Sequence, residues 1–428
     1  MMPLSAVCQM KDSGIDWVGQ VPSHWSVRPF YSFAAEVDHP NTGLKEKNLL
    51  SLSYGRLVRK DMDRLEGLTP ASFEGYNIIE ANDIVFRLTD LQNDKTSLRS
   101  ARSPERGIIT SAYVTVRPSA SPRFFEYLMR AYDTTKVFYG IGGGIRQSMK
   151  FDDLKRLPVL VPTVSEMDAI ASHLDRVTTR IDALVAKKTR FIELLREKRQ
   201  ALITHAVTKG LDRGAAMKDS GVEWLGVVPA HWDVVRGSAV FVECKAKNDQ
   251  LVSENYLSLM ANIGIIPYEE KGDVGNKKPE DVRKCKLVDP GDFVLNSMNY
   301  AIGSYGVSSY SGVCSPVYVV MKHRPEVADP KFLDLILSNP SYQNYAQSFG
   351  TGILDHRRAI GWDEIKVIRV PLPPLDEQAE IAAWTISRRD RVDTLIAKTE
   401  RSIELLREHR TALITAAVTG KIDLRPAA

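Results

Sequence analysis

Two groups of basic and amide side chains carry the chemistry that this chain could bring to a ligand. Arg87, Lys95, Arg99, Arg102 and Arg106 run through a loop-like stretch with Asn93, Thr96 and Ser97. Lys271, Lys277, Lys278, Arg283, Lys284 and Lys286 gather around Gly272, Gly275 and Pro279. Cations in such loops can neutralise phosphates, and an Arg can read a guanine edge through two parallel hydrogen bonds in a major groove. Asn296 and Asn299, just after Asp292-Phe293-Val294-Leu295, could address adenine in the same manner. The candidate DNA-contacting residues are therefore Arg87, Lys95, Arg99, Arg102, Lys277, Lys278, Arg283, Lys284, Asn296 and Asn299. Ala at Arg99 and Arg102 is expected to weaken one contact with DNA, and Ala at Lys277, Lys278, Arg283 and Lys284 another. A run of charge by itself is more often a solvated loop, so the weight of this reading rests on the elements that hold the loops.

Those elements occur twice. Phe191 to Arg213 and Ser402 to Leu424 share 15 of 23 positions at a constant offset of 211, including I-E-L-L-R-E and A-L-I-T. Lys11 to Trp25, K-D-S-G-I-D-W-V-G-Q-V-P-S-H-W, returns as Lys218 to Trp232 with 10 of 15 positions identical. The Gly, Pro and Trp of that second motif predict a compact turn pinned by Trp17 and Trp25, and by Trp224 and Trp232 in its copy. His24 and His231 beside them are read as packed or hydrogen-bonded residues rather than catalysts. The chain is a tandem duplication.

Upstream of each repeated helix, apolar residues recur at alternating steps of four and three. Ile170, Leu174, Val177, Ile181, Leu184, Phe191, Leu195 and Leu202 form one stripe; Ile381, Val392, Leu395, Ile403, Leu406 and Leu413 form the other. This 3.5-residue period belongs to a helix that winds against a partner. A continuous helix from Ser165 to Val207 would extend roughly 65 Å, too long to stand alone, and its own copy, Asp376 to Val418, is the expected partner.

Between each Trp motif and each helix lies a segment of about 130 residues whose interior has diverged while islands persist. Asn48-Leu49-Leu50-Ser51-Leu52 aligns with Asn255-Tyr256-Leu257-Ser258-Leu259, and Asp83-Ile84-Val85-Phe86 with Asp292-Phe293-Val294-Leu295. Short β-branched runs at Ile108 to Val116 and Val317 to Met321, with helical stretches at Pro122 to Tyr132 and Pro330 to Leu337, predict α+β domains. The organisation read from this is 1–157, first Trp motif and variable domain; 158–213, central long helix; 214–369, second Trp motif and variable domain; 370–428, C-terminal long helix.

Composition narrows the class. With 43% apolar and 26% charged residues in 428, the chain is globular, with room for two or three domains. Its net charge of +4 confines attraction to nucleic acid to local patches. No apolar run approaches the ~20 residues of a membrane span, and the first residues lack a leader pattern, so a cytoplasmic, non-membrane protein is expected. Cys8, Cys244, Cys285 and Cys314 have neither metal-ligand spacing nor close pairing, so no metal site is expected.

Two stretches imitate catalytic motifs. Phe138 to Gly142, F-Y-G-I-G, resembles the F-x-G-x-G turn that approaches S-adenosylmethionine in methyltransferases, and Asn339 to Tyr342, N-P-S-Y, resembles the Asn-Pro-Pro-Tyr signature of enzymes that methylate amino groups of DNA bases. The duplication argues against both. Aligning Gly143-Gly144-Ile145 with Thr351-Gly352-Ile353 sets N-P-S-Y opposite Ala131 to Thr134, and Gly140 and Gly142 opposite Ser348 and Gly350. The half-motifs therefore lie in different repeats, and neither follows a cofactor-binding βαβ pattern.

In combination, the two Trp motifs, Gly352-Ile353 followed by Asp363-Glu364-Ile365-Lys366, the run Val370 to Gln378 and the I-E-L-L-R-E helix ending A-V-T resemble the specificity subunit of type I restriction-modification enzymes. In the first repeat only Pro162 and Glu166 keep the V-P-L-P-P-x-x-E-Q pattern. The resemblance implies a non-catalytic subunit with no cofactor of its own. It further implies two α/β target-recognition domains joined by two long helices in an antiparallel coiled coil, a pseudo-two-fold tandem repeat. Partners would be double-stranded DNA, two modification subunits that bind S-adenosylmethionine and methylate adenine, and restriction subunits that use ATP. Because the two domains differ, the target would be bipartite and asymmetric, with a gap set by the helices. Inserting four residues after Lys187 is then expected to change the gap and leave the half-sites alone. The alternatives are a freestanding adenine methyltransferase and a coiled-coil scaffold that does not read DNA.

Overall fold

A computed structural model describes residues 9–62, 70, 72–89, 98–140, 149–273, 277–350, 358–422 and 424. The chain divides into two compact units: 1–189 with 400–428, and 190–399. Each is assembled from the same parts, as the duplication requires.

In the first unit the Trp motif forms a hairpin, Met10–Asp12 antiparallel to Gln20–Pro22, and buries Trp25. Ser26–Pro29 then pairs antiparallel with Pro158–Val161, which ties the two ends of the variable segment together. Inside that clasp stands a four-stranded antiparallel sheet, Ala34–Glu36, Val114–Pro118, Ile84–Phe86 and Ser100–Arg102 in spatial order. The hairpin Leu50–Ser53 with Arg56–Arg59 and the pair Asn77–Ile79 with Gly107–Ile109 complete the β structure among the described residues. The run Ile108 to Val116 is thus two strands in two different sheets. The helix Pro122–Thr134 starts on a proline, whose fixed φ suits the first helical turn, and closes the core with Phe124, Phe125, Leu128 and Met129, all fully buried.

The second unit repeats the plan. Met217–Asp219 pairs with Val227–Pro229, and Asp233–Arg236 with Arg369–Leu372. Its sheet runs Phe241–Glu243, Tyr318–His323, Phe293–Asn296, Tyr305–Val307. Leu257–Met260 and Gly264–Pro267 form the equivalent hairpin. Two helices, Pro330–Leu337 and Pro340–Phe349, cap this core. The strand pairs named here are antiparallel, and one parallel bridge recurs in each unit, Leu49 with Ile108 and Tyr256 with Val313.

The long helices are Val164–Lys209 and Leu375–Val418. In the first unit Ile170, Ala171 and Leu174, near the start of one, share a core with Leu413, Ile414, Ala417 and Val418, at the end of the other. In the second unit the end of the first helix, Ala206 and Val207, shares a core with the start of the second, Ile381 and Ala382. Start against end in each unit means that the helices pair antiparallel there. The same ionic contact ties both pairings: Arg410 Nε to Asp182 at 3.1 Å in the first unit and Arg199 Nη1 to Asp393 at 2.5 Å in the second.

The seam departs from the expected one in its middle. Ile170, Leu174, Ile181, Leu195, Ile381 and Leu413 are buried, and Val177, Leu202, Val392 and Leu406 are half-buried. Leu184 and Leu395, however, are each 41% exposed, and Phe191 is 43% exposed. From Ile181 the helix steps by four to Val185, then through Lys188 to Ile192 and Leu195; in the copy Ile396 is buried instead of Leu395. Either order of steps spans Ile181 to Leu195 at the same mean of 3.5, so the observed one keeps the period while breaking the strict alternation of four and three at Ile181.

Each long helix stops on a glycine in the left-handed region, Gly210 and Gly420, both at φ 70. A side chain there would be strained, and a Cβ would lie 3.1 Å from Trp232 at Gly210 and 2.4 Å from Pro22 at Gly420. Helix end and Trp motif therefore interlock within each unit.

Candidate nucleic-acid interface

The Trp motif is locked to the long helix by a histidine in both units. His24 Nε2 lies 2.7 Å from Glu166 Oε1, and His231 Nε2 lies 2.8 Å from Glu377 Oε2. Glu166 also accepts from the Thr163 hydroxyl at 2.8 Å, and Trp232 donates to Glu377 at 3.0 Å. Burial raises the Glu166 carboxyl, but the hydrogen bonds from His24 and Thr163 outweigh it and hold the group below its ordinary value. These histidines clamp a scaffold, as expected of residues packed beside Trp.

On that scaffold the basic residues of the first domain divide. Arg99 is fully buried: Nη1 donates to the Thr89 carbonyl at 3.2 Å, the guanidinium lies 5.9 Å from the Tyr139 ring centroid, and its backbone N–H donates to Asp133 at 2.5 Å. It joins sheet to helix and has no surface to offer a phosphate, which corrects its assignment as a DNA contact. Arg102 is engaged by Glu126 at 3.0 Å and by Asn82 at 2.8 Å, and Arg106 by Glu46 and Glu80. Arg87 is half-buried at the end of the central strand, where its backbone pairs with Arg99. Lys95 lies outside the described residues.

In the second domain Lys277, Lys278, Arg283 and Lys284 are all exposed. Lys278 reaches the Glu254 carbonyl at 3.1 Å, and with Arg283 it lines an open depression of about 420 Å³. Asn296 is 8% exposed and its Oδ1 accepts from the Met298 N–H at 3.1 Å, so it shapes the turn rather than meeting a ligand directly. Asn299 is exposed. The two amides line a cavity of about 220 Å³ together with Tyr256, Ser258, Lys271 and Tyr318.

No family model matches the chain. Among curated proteins, a relative from Methanocaldococcus jannaschii named as the type I restriction enzyme MjaX specificity subunit is 22% identical over 95% of this chain and 96% of its own. The type I restriction enzyme EcoKI specificity subunit of Escherichia coli is 21% identical over 63% of this chain and 58% of its own. The chain is similar to type I specificity subunits.

The fold agrees. A solved chain from a study of complex assembly and conformational transition of the type I R-M system superposes with a TM-score of 0.68 at 14% identity, covering 94% of this chain and 99% of that one. The HsdS subunit from Thermoanaerobacter tengcongensis superposes at 0.54 with 15% identity, covering 94% and 98%. The two stretches that imitate catalytic motifs are placed by the structure as well. Asn339 is fully buried, caps its helix through Ser341 N and bonds the Thr204 hydroxyl, while Tyr342 is fully buried against Trp224 and Tyr300. Neither can receive a base. Phe138 is likewise core, and residues 141 and 142 lie outside the described residues.

Sequence reasoning missed several exposed groups of this specificity-subunit fold. Tyr54, 84% exposed, and exposed Arg56 sit at the turn of the first domain's hairpin, beside a pocket of about 380 Å³ that Arg130, Arg407 and Arg410 also line. The only signal was indirect: Ser53-Tyr54-Gly55-Arg56 directly follows a conserved-looking island of the internal alignment yet differs from its copy. Of the cysteines described, Cys285 and Cys314 are buried, and burial pushes the Cys314 thiol up to about 12, which leaves it inert. Among the described residues no His, Cys, Asp and Glu group could hold a metal ion, and no helix is long and apolar enough to cross a membrane.

Proposed function

We propose that the chain is the non-catalytic, DNA-reading subunit of a type I restriction-modification system. The variable part of each unit reads one half of a bipartite, asymmetric site, and modification subunits dock on the long helices. The supporting observation is internal. The clasp strands, the His–Glu lock and the Asp–Arg helix contact recur in both units. The groups exposed on the two domains do not. A scaffold kept constant beneath two unlike faces is what a reader of two unlike half-sites needs. The domain limits 1–157 and 214–369 follow from the same reading, with Arg87, Lys277, Lys278, Arg283, Lys284 and Asn299 as the DNA-facing residues it retains.

Methylome sequencing of a host that expresses the chain with its modification subunit tests this reading. The expected result is adenine methylation at a two-part motif with unlike halves and a fixed gap. Methylation at a single contiguous site, or at none, would overturn it. The alternative, a freestanding adenine methyltransferase, predicts transfer of label from S-adenosylmethionine to DNA by the purified chain alone.

A further inference from the structure

One turn of the second domain holds out to solvent what a turn would ordinarily bury. Met298 is 48% and Ile302 60% exposed, and Ile263, on the neighbouring hairpin turn, is 67% exposed. The two turns form one platform, because the Asn262 N–H donates to the Gly303 carbonyl at 2.9 Å and Gly303 closes its turn at φ 83. Asn296 fixes the near end of the turn through Met298 N. Apolar side chains fixed on a hydrogen-bonded platform mark a contact surface.

The chemistry of that surface is narrow. Asn299 is exposed, and its carboxamide makes no hydrogen bond among the described residues, so one donor and one acceptor face outward together. Adenine presents the complementary pair in the major groove, an N6 donor beside the N7 acceptor, and its partner thymine adds a methyl group that suits an apolar neighbour. Charge favours the same occupant: Lys271 lines the adjoining cavity, and exposed Lys277, Lys278, Arg283 and Lys284 belong to the same domain.

Resting on the function proposed above, we infer that the Met298–Gly303 turn enters the major groove and reads an A·T pair in the second half-site. Asn299 pairs with the adenine edge, and Ile302 touches the thymine methyl. The first domain carries other chemistry at the same place. Arg87 follows Asp83-Ile84-Val85-Phe86 where Asn296 follows Asp292-Phe293-Val294-Leu295, and the hairpin turn carries Tyr54. The assignment therefore concerns the second half-site; residues 90–97, which follow Arg87 in the first domain, lie outside the described residues.

The test is selection from a pool of randomised DNA duplexes by the full chain loaded with its modification subunit. Wild type should enrich a motif with an invariant A·T pair in one half. Asn299→Ala should lower discrimination at that pair by roughly tenfold or more and leave the other half untouched. Asn299→Asp, nearly isosteric but acceptor-only, should move the preference at that position toward C·G, an outcome that mere misfolding would not produce. Replacing that thymine by uracil in the enriched duplex should weaken binding by wild type and not by Ile302→Ala. A motif unmoved by both Asn299 variants overturns this assignment alone, whereas a wild-type complex that enriches no sequence overturns the recognition reading along with it.

Discussion

A carboxyl that is 2% exposed makes the core of the first domain sensitive to pH at a single atom pair. Burial raises Asp133 more than the Arg99 N–H and the nearby charges of Arg130 and Lys136 lower it. The folded state therefore holds this proton more tightly than the unfolded chain. Its contribution is favourable below the ordinary value of 3.8 and is lost as pH rises through the raised folded value. At neutral pH the charge destabilises. Asp133→Asn, which keeps an acceptor for Arg99, should raise the melting temperature at pH 7 by roughly 2–4 °C, with the gain shrinking toward pH 4; a variant less stable at pH 7 would contradict this. Arg99 itself, packed at the same place, is predicted to matter for folding and not for recognition. Arg99→Ala should lower stability by about 2 kcal/mol or more, since it leaves a void and the Thr89 carbonyl without its donor. Denaturation midpoints and the selected DNA motif, measured together, separate the two roles: an altered motif at unchanged stability would restore Arg99 to the interface. Nothing local in the sequence distinguished it from Arg87 or Lys277. Whether a guanidinium in a polar run points inward is decided by Thr89, Asp133 and Tyr139, which come together only in the fold.

The long helices show how far periodicity reaches. Their existence, length and antiparallel pairing were legible because two copies of one apolar stripe leave few ways to be buried. The position of the seam was legible toward both ends of the helices and not in their middle. At Leu184-Val185 and Leu395-Ile396 adjacent residues are both apolar, and only the facing helix selects Val185 and Ile396. The two stripes are separable by substitution. Ile181→Ala removes a buried side chain, 5% exposed, and should cost about 2–4 kcal/mol. Leu184→Ala, at 41% exposed, should stay within roughly 0.5 kcal/mol. Chemical denaturation of the two variants in parallel tests the register, and equal losses would place Leu184 in the seam after all.

At the scale of the molecule, each unit draws one half of its helical pair from each long helix, 164–189 with 400–418 and 190–209 with 375–399. Repetition made this plan readable, since an offset of 211 between helices and 207 between Trp motifs leaves the intervening segments as the only parts free to vary. What those segments recognise under the proposed function was not readable, because the side chains that would meet bases sit on turns whose shape depends on partners such as Asn262 and Gly303. Under the proposed function, helix length sets the gap between half-sites. Because each stretch of one helix is paired with an opposite-running stretch of the other, lengthening one alone leaves its partner too short to follow. Matched insertions of four residues after Lys187 and after Lys398, which are equivalent positions in the duplication, extend both by roughly 6 Å at about 1.5 Å per residue. With DNA rising about 3.4 Å per step, the methylated motif should gain about two base pairs in its gap and keep both halves. The single insertion after Lys187, expected from the sequence to change the gap, should with the helices paired in this way lower methylation several-fold instead. Methylome sequencing of the doubly lengthened chain decides the matter: altered halves with an unchanged gap would mean that the helices do not act as the spacer.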